Sequence, residues 1–268
     1  MLHVRPLLVA TLASMLGGVA AAEPQTTGPA PGADRIALVL PGGELLLGSG
    51  QRIKLADLRF ADTADASSTL RGVLASLRDA AVQIEPAGPA DRWNRQPAAL
   101  SLTGQGGPVD IGELLVGEGL AVVDAGERNS LTRTGLLAVE EGARTARRGV
   151  WAQPGWPVAA DARDELAGRA GRFAVVEGRV VSVGERRGRT YLNFGRDWSR
   201  DFAVTISRRT WTTLVSRGLG AAVLTGAQVR VRGILKMGRA PGLDIAAPEM
   251  LEIVAEAPGR AGIRPGRR

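Results

Sequence analysis

The sequence contains no cysteine, and its only histidine is His3, near the N-terminus. Without cysteine the chain forms no disulfides, so its domains depend on core packing. With no histidine after residue 3, the chain lacks a Ser/His or Cys/His catalytic pair and a zinc site of Cys and His ligands. Hydrolytic chemistry would therefore rest on carboxylates, arginines and a hard cation held by oxygen.

Lysine is also scarce, since only Lys54 and Lys236 occur, and arginine supplies most of the net charge of +7. Residues 23–168 carry 14 basic and 19 acidic side chains, whereas residues 169–256 carry 15 and 8. Residues 257–268 add four arginines. A basic surface favours a nucleic-acid or other anionic partner, and the sequence places that surface in the second half of the chain.

Long apolar runs are absent except near the N-terminus, where a run after Arg5 ends in the small residues 20–22. Gly17 and Gly18 interrupt it, and it is shorter than the roughly 20 strongly apolar residues of a membrane span. We therefore predict a cleaved export signal over residues 1–22 and a periplasmic or secreted protein with no integral span in the mature chain. A retained anchor is the alternative.

The pattern after the signal predicts a spacer over residues 23–34 and a first domain over residues 35–151. RIALVL, GELLLG and QRIKLAD read as three strands, and ASSTLRGVLASLRD reads as a helix capped near Ser67 and Ser68. Two more strands follow, then a short helix from Asp110 and a longer helix over about residues 130–148 that stops at Gly149. This order predicts a small closed barrel with three helices.

A linker is predicted over residues 152–170, followed by a second domain over residues 171–256 and a basic disordered tail over residues 257–268. The second domain reads as three strands, a helix and two strands, which is the order of an OB-like barrel. The fold class is therefore mainly β with α (α+β), comprising two small OB-like five-stranded barrels.

Three stretches of the first domain carry a resemblance to a known family: RIKLADLRF, DRWNR, and ELLVGEGLAVV with LLAVEEGARTARRGVW. Over about residues 35–151 the chain resembles the staphylococcal nuclease (thermonuclease-like) family. The resemblance implies calcium-dependent cleavage of phosphodiesters. In that family two arginines brace the phosphate, a glutamate acts as general base or orients water, and aspartates hold the ion.

By this resemblance the two arginines of the phosphate clamp fall on Arg52 and Arg95, and an aspartate of the metal site falls on Asp57. The general-base position falls on Phe60, and a phenyl ring accepts no proton. The early aspartate falls on Gly43 or, with a slip of one residue, on Glu44, which makes Glu44 a weak second metal ligand. Calcium is expected as a cofactor only if this nuclease-like site is catalytically functional, and otherwise no cofactor is expected.

Asp62 and Asp65 are candidate replacements for the missing carboxylate, although loop acids before a helix are more often solvated. The arginines have a structural alternative too: Arg52 pairs with Asp57 or Glu44, and Arg95 pairs with Asp91. In that case the Phe60 side chain fills the space that the general base would occupy.

The second domain carries arginines and rings in GERRGRTYLNFGRDWSRDF, a combination typical of single-strand binding. The predicted nucleic-acid contacts are Arg186, Arg187, Arg189, Tyr191, Arg196, Trp198 and Arg200. Strand alternation places Tyr191 and Trp198 on the surface, and Leu192, Phe194 and Phe202 in the core. The alternative is a basic hairpin whose rings only fill a small barrel.

The leading hypothesis is an exported, catalytically degenerate thermonuclease-like protein that binds nucleic acid or another anionic polymer through the second barrel. An active calcium-dependent phosphodiesterase with relocated carboxylates is the first alternative. An envelope structural or adaptor protein, whose protein partners the sequence does not identify, is the second.

Overall fold

A computed structural model describes residues 33–40, 43–61, 63–104, 106–125 and 130–255. The predicted signal, the spacer up to residue 32 and the predicted tail lie outside these residues. The chain divides into two compact units. The first comprises the described residues up to Val123 with Thr132–Ala152, and the second comprises the described residues of Asp124–Leu131 and the chain from Gln153 onward. The secondary structure is mixed α+β with strands predominating, which confirms the predicted fold class at this level.

The first unit is built around a sheet that closes on itself. The strands of this unit are β1 (Ala33–Val39), β2 (Leu45–Leu47), β3 (Arg52–Leu55), β4 (Leu58–Phe60), β5 (Ala81–Pro86), β6 (Arg95–Leu102), β7 (Val109–Asp110) and β8 (Ala121–Val123). Strand β1 pairs with β2 and β5, β6 pairs with β5, and β2 pairs with β3, all antiparallel. A parallel pairing of β3 with β6 completes a ring of five strands.

The ring has an apolar interior because alternate residues along its strands face inward. Ile36, Leu45, Ile53 and Leu100 are completely buried. The sequence QRIKLADLRF does not form one strand, since β3 ends at Leu55 and β4 pairs separately with β8.

Helix α1 (Ala64–Ser76) begins one residue after Thr63, whose hydroxyl accepts the Ala66 amide at 3.3 Å. The predicted cap at Ser67 and Ser68 is wrong, because both residues lie inside the helix. A cap needs extended backbone, which Thr63 has with φ −121° and ψ 150°. The helix buries Leu70, Val73 and Leu74, as its spacing predicts.

Helices α2 (Ile111–Gly117) and α3 (Leu136–Thr145) complete the first unit. The Asp110 carboxylate caps α2 by accepting the Glu113 amide at 2.8 Å, and the helix begins one residue after the predicted start. Helix α3 is shorter than predicted: it starts six residues later than residue 130, and Arg147 turns left-handed with φ 51° just after it. Gly149 is left-handed as well, and a side chain there would meet the Gly119 carbonyl oxygen at 2.3 Å.

The second unit contains β9 (Val158–Ala159), β10 (Phe173–Arg179), β11 (Ser182–Arg186), β12 (Arg189–Asn193), β13 (Ala203–Ser207), β14 (Gln228–Met237), β15 (Pro241–Ile245) and β16 (Leu251–Ala255). Its helices are α4 (Arg163–Gly168), α5 (Arg208–Ser216) and α6 (Ala221–Leu224), with 3₁₀ turns at Gly149–Ala152 in the first unit and at Pro248–Met250 in the second.

The strands of the second unit follow the order β11-β12-β13-β15-β14-β10-β9. Only Val180 and Val181 separate β10 from β11, and at this bend the chain changes partner: the Val180 amide donates to Ala227, and the Val181 amide donates to Asn193. If β10 and β11 are taken as one bent strand, the pairings form a second ring of five strands, with β13 and β15 parallel.

The stretch interpreted as a linker contributes structure to the second unit. Strand β9 pairs with β10, and Val158 and Leu166 are buried in the second core together with Phe202 and Leu192. Among the described residues, no helix is both long enough and apolar enough to cross a bilayer.

Candidate functional site

The two predicted clamp arginines are neighbours on the outside of the first ring. Arg52 begins β3 and Arg95 begins β6, and the two residues are paired in the parallel register. Ile53 is completely buried inside the ring, so Arg52 faces outward. The structure therefore brings together two guanidinium groups that are 43 positions apart in the sequence.

A single carboxylate bridges this arginine pair. Nη2 of Arg52 donates to Oε2 of Glu44 at 2.5 Å, and Nη1 of Arg95 donates to Oε1 of Glu44 at 2.7 Å. The hydrogen bond from Arg95 is the first cause that lowers the pKa of Glu44, and Arg52 lowers it further. Glu44 is thus held as a charged acceptor between both arginines, which is one of the two pairings predicted for Arg52.

Asp91 holds the far side of Arg95, as predicted. Nε of Arg95 donates to Oδ2 of Asp91 at 2.7 Å, and Oδ1 accepts the amides of Trp93 and Arg95 at 2.9 and 3.0 Å. The hydrogen bond from Arg95 lowers the pKa of Asp91 from 3.8 to about 2. In the same loop Asn94 is left-handed with φ 58°, a conformation that asparagine tolerates.

Trp93 lies beside the pair and is half-exposed. The guanidinium carbon of Arg95 lies 4.6 Å from its ring centroid, and that of Arg92 lies 3.9 Å from it. The ring therefore adds cation–π contacts to the ion pairs that orient Arg95.

Asp57, the predicted metal ligand, binds a neighbouring loop. It is 6% exposed and left-handed with φ 62°, and its Oδ2 accepts the amides of Thr132 and Arg133, each at 2.8 Å. The Thr132 hydroxyl donates to the same oxygen. These bonds give Asp57 a structural role in fixing the residues before α3.

Phe60 packs on the loop that carries Glu44. Gly43 has φ 80°, and a side chain there would lie 1.9 Å from Cε2 of Phe60. The ring therefore sits directly against the Gly43 backbone, one residue before Glu44. Of the predicted replacement acids, Asp62 lies outside the described residues, and so does the side chain of Asp65.

The acidic residues here do not fit a calcium ion. Calcium takes six or more oxygen ligands, several of them carboxylate. Glu44 is bound by two arginines, and Oδ2 of Asp57 is bound by three donors of the loop. Within the described part of the chain, no group of three or more acidic, His or Cys side chains has an arrangement that could hold a metal.

In the second unit, the predicted contacts fall at the two ends of β12 instead of forming one cluster. Arg186, Arg187 and Arg189 are exposed at the turn between β11 and β12. The Arg208 amide donates to the Gly188 carbonyl at 3.2 Å, so the start of α5 adjoins this turn. We call Arg186, Arg187, Arg189 and Arg208 the hairpin cluster. None of the four forms an ion pair with another described residue.

Arg196, Trp198 and Arg200 lie in the loop after β12, at the opposite end, about 15 Å away at roughly 3.3 Å per residue. Trp198 is 73% exposed. Asp197 accepts the Ser199 amide and hydroxyl, and these bonds are the main cause that lowers its pKa, with Arg200 and Arg163 contributing.

Tyr191 stands on the outer face between the two ends. It is half-buried and paired with Gly184 on one side and Thr205 on the other. A side chain on Gly184 would meet no atom within 4 Å, so the surface beside the Tyr191 ring is open. Leu192 and Phe202 are buried, and the rings of Phe194 and Phe202 lie 5.1 Å apart, which confirms the predicted division between surface and core.

The sequence reasoning missed two features of the second unit. The arginines at the start of α5, Arg208 and Arg209, extend the basic surface at the hairpin turn, and their position just after a predicted strand was the available signal. Arg230 and Arg232 are buried on β14, where Arg230 pairs with Glu177 at 2.6 Å and Arg232 pairs with Glu252. No sequence pattern separated these buried arginines from the exposed ones.

A scan against models of known protein families finds no match to this chain, and a search of curated proteins finds no similar sequence.

Proposed function

We propose that this protein binds single-stranded nucleic acid or a similar anionic polymer through its second unit. The observation that carries the proposal is a contrast between two sets of arginines. Glu44 and Asp91 neutralise the pair in the first unit, whereas the hairpin cluster has no ion-pair partner among the described residues. Exposed arginines without a carboxylate partner are available to phosphates.

The proposal includes an OB-like architecture for both rings and a thermonuclease-like origin for the first. The five-strand ring with parallel β13 and β15, and with α5 and α6 before β14, supports the OB-like interpretation. In such barrels the face of the second and third strands and the adjoining loops bind oligonucleotides. Those strands are β12 and β13, which carry Tyr191 and flank the hairpin cluster.

The ligand would run along β12 from the hairpin cluster to the loop of Arg196, Trp198 and Arg200. Arginines at both ends hold the phosphates, and the open face at Tyr191 accepts a stacked base. A stacked base contributes about 1–3 kcal/mol regardless of its identity, so little sequence preference is expected.

Fluorescence anisotropy of the purified full chain with a labelled single-stranded oligonucleotide tests the proposal. The Arg187→Ala/Arg189→Ala double variant is expected to bind about tenfold more weakly. The Arg163→Ala/Arg217→Ala variant is the matched control, since it loses the same charge from arginines already paired with Asp201 and Glu249. Equal affinity in both variants, or binding that is insensitive to salt, contradicts the proposal and favours a protein adaptor.

The calcium-dependent phosphodiesterase is the second candidate, because Glu44 places a carboxylate between the two arginines. Its donor set does not fit calcium, so we derive no hydrolytic step. Calcium-dependent cleavage of DNA or RNA by the purified protein, abolished in Arg52→Ala, would replace the binding proposal with this one.

Export is also part of the proposal, and sequencing the N-terminus of the protein secreted by its host checks cleavage after residue 22.

A further inference from the structure

The positive charge of the second unit is concentrated at one end of β12. Arg186 and Arg189 are the cross-strand pair that closes the hairpin of β11 and β12, so their side chains lie on the same face of the sheet. Arg189 is also paired with Ser207, the cap of α5, and Arg208 follows directly. Arg187 is exposed in the hairpin turn. Four guanidinium groups therefore extend from neighbouring backbone positions.

The start of α5 adds to this concentration of charge. Its first two residues are Arg208 and Arg209, both exposed, and its first turn contains no acidic residue. The N-terminus of a helix carries a partial positive charge, so arginine is unfavourable in the first turn. Arg186 and Arg189 also repel each other, because like charges directly opposite on two strands are destabilising. An anion bound here would relieve both repulsions.

The carboxylate next to the hairpin cluster in the sequence lies on the other face of β11. Glu185 is paired with Thr190, which is buried, so its side chain points away from the face of Arg186. Its Oε2 accepts the indole N–H of Trp211 at 3.1 Å. Like the hairpin cluster, Arg209 forms no ion pair with another described residue.

The two ends of the proposed binding face differ in charge. In the loop after β12, Arg196 and Arg200 flank Asp197, which offsets part of their charge. The hairpin end has five arginines, whereas each internal nucleotide of a strand brings one negative charge. A phosphate monoester carries a charge of about −1.5 to −2 at pH 7 and offers three oxygens that accept hydrogen bonds. The hairpin end is therefore better matched to a terminal phosphate than to an internal one.

We propose that the hairpin cluster and Arg209 bind the terminal phosphate monoester of a single-stranded nucleic acid. This inference rests on the proposed function of the second unit, and it names the class of strand that the second unit prefers. The terminal phosphate lies beside the start of α5, and the following nucleotides continue along β12 past Tyr191.

The test is fluorescence anisotropy of the full chain with an oligothymidylate of about ten residues, labelled on an internal base, at constant ionic strength. Three forms are compared: one without terminal phosphate, one with a 5′-phosphate and one with a 3′-phosphate. We expect a phosphorylated form to bind about fivefold or more tightly than the unphosphorylated form, and the form that gains identifies the end that is bound. Equal affinity for all three forms overturns this inference and leaves the proposed function intact. Binding of none of the three contradicts the proposed function as well.

Two double variants locate the gain. Arg208→Ala/Arg209→Ala is expected to abolish it, and folding is not at risk because alanine is favourable in a helix and the change removes positive charge from the N-terminus of α5. Arg196→Ala/Arg200→Ala, an equal charge change at the other end of the face, is expected to weaken all three forms and to leave the gain unchanged. A gain that survives in the first variant, or that is lost only in the second, overturns the inference.

The pH dependence of the gain is a readout that needs no variant. The second ionisation of a phosphate monoester has a pKa of about 6, so the gain is expected to be full above about pH 7 and smaller at about pH 5. Arginine stays charged over this range, thymine does not ionise, and the only histidine of the chain is His3. A gain of equal size at both pH values would exclude the doubly charged phosphate as the ligand and overturn the inference.

Discussion

At the scale of single residues, Phe60 and Gly43 form a packing contact beside the arginine pair of the first unit. The resemblance proposed from the sequence would instead place a general base and a metal ligand at these two positions. In this chain the ring lies against a left-handed glycine, and the next residue, Glu44, binds both arginines. The apolar ring thus packs against the loop whose Glu44 neutralises the arginine pair.

Gly43→Ala is expected to lower the free energy of unfolding by about 2 kcal/mol or more, from left-handed strain and overlap with Phe60. Thermal or urea denaturation measures the loss. Gly72→Ala is the matched control: Gly72 lies exposed in α1 with open space around it, and alanine there is expected to stabilise by about 0.5–1 kcal/mol. A Gly43→Ala chain as stable as the wild type would show that the contact with Phe60 is not close.

The hydrogen bonds of Asp91 with Arg95 predict that the stability of the folded chain falls at acid pH. Because Arg95 lowers the folded pKa of Asp91 from 3.8 to about 2, the stabilisation is nearly complete above about pH 5 and is lost as pH falls toward about 2. Asp91→Asn is expected to be less stable at neutral pH and to show a shallower loss of stability over this range. Denaturation at stepwise pH measures both effects. Glu85→Gln, which removes an exposed carboxylate elsewhere, is the control variant. If Asp91→Asn lost stability with falling pH as steeply as the wild type, the stabilising role of the Asp91 carboxylate would be contradicted.

At the scale of elements, Asp57 links the turn after β3 to the residues that precede α3. Its carboxylate accepts two backbone amides and one hydroxyl, so this segment is fixed by a side chain 75 positions earlier in the chain. Thr132 and Arg133 lie before α3, which starts at Leu136 instead of near residue 130.

Asp57→Ala is expected to cost about 2 kcal/mol of stability and to speed hydrogen exchange of the Thr132 and Arg133 amides. Asp79→Ala separates strain from lost bonding, since Asp79 is also left-handed, with φ 63°, but is exposed. Asp57→Asn keeps a hydrogen-bond acceptor and tolerates left-handed backbone. Its stability is therefore expected to lie between that of the wild type and that of Asp57→Ala. Unchanged exchange in Asp57→Ala would exclude the anchoring role.

At the scale of the whole molecule, the net charge of +7 is a poor guide to binding because its sign changes along the chain. The structure also separates buried from exposed positive charge in the second unit. Arg230 and Arg232 are buried and paired, whereas the hairpin cluster is exposed. The basic surface of the second unit is therefore smaller and more local than the count of arginines suggests.

The salt dependence of oligonucleotide binding is expected to come from the exposed arginines of the hairpin cluster. Arg187→Ala/Arg189→Ala should reduce the slope of log affinity against log salt by about 1.4, at about 0.7 per phosphate contact on a single strand. Arg71→Ala/Arg78→Ala, an equal charge change at exposed positions of the first unit, should leave the slope unchanged. Equal slopes in the two variants would place the contacts outside the hairpin cluster.

The sequence by itself determined most elements and their faces, because strand and helix periodicity are local properties. It predicted the apolar face of α1, the start of α2 to within one residue, and the separation of Tyr191 from Leu192 and Phe202. It also limited the chemistry, since a chain without cysteine and with one early histidine has few catalytic groups.

Only the tertiary structure decided which charges meet. Glu44 joins Arg52 and Arg95 because a parallel pairing of β3 and β6 aligns residues 43 positions apart, and Asp57 joins Thr132 across 75 positions. The same folding buried Arg232 and left Arg187 exposed. These outcomes depend on long-range register and burial, which local sequence patterns do not encode.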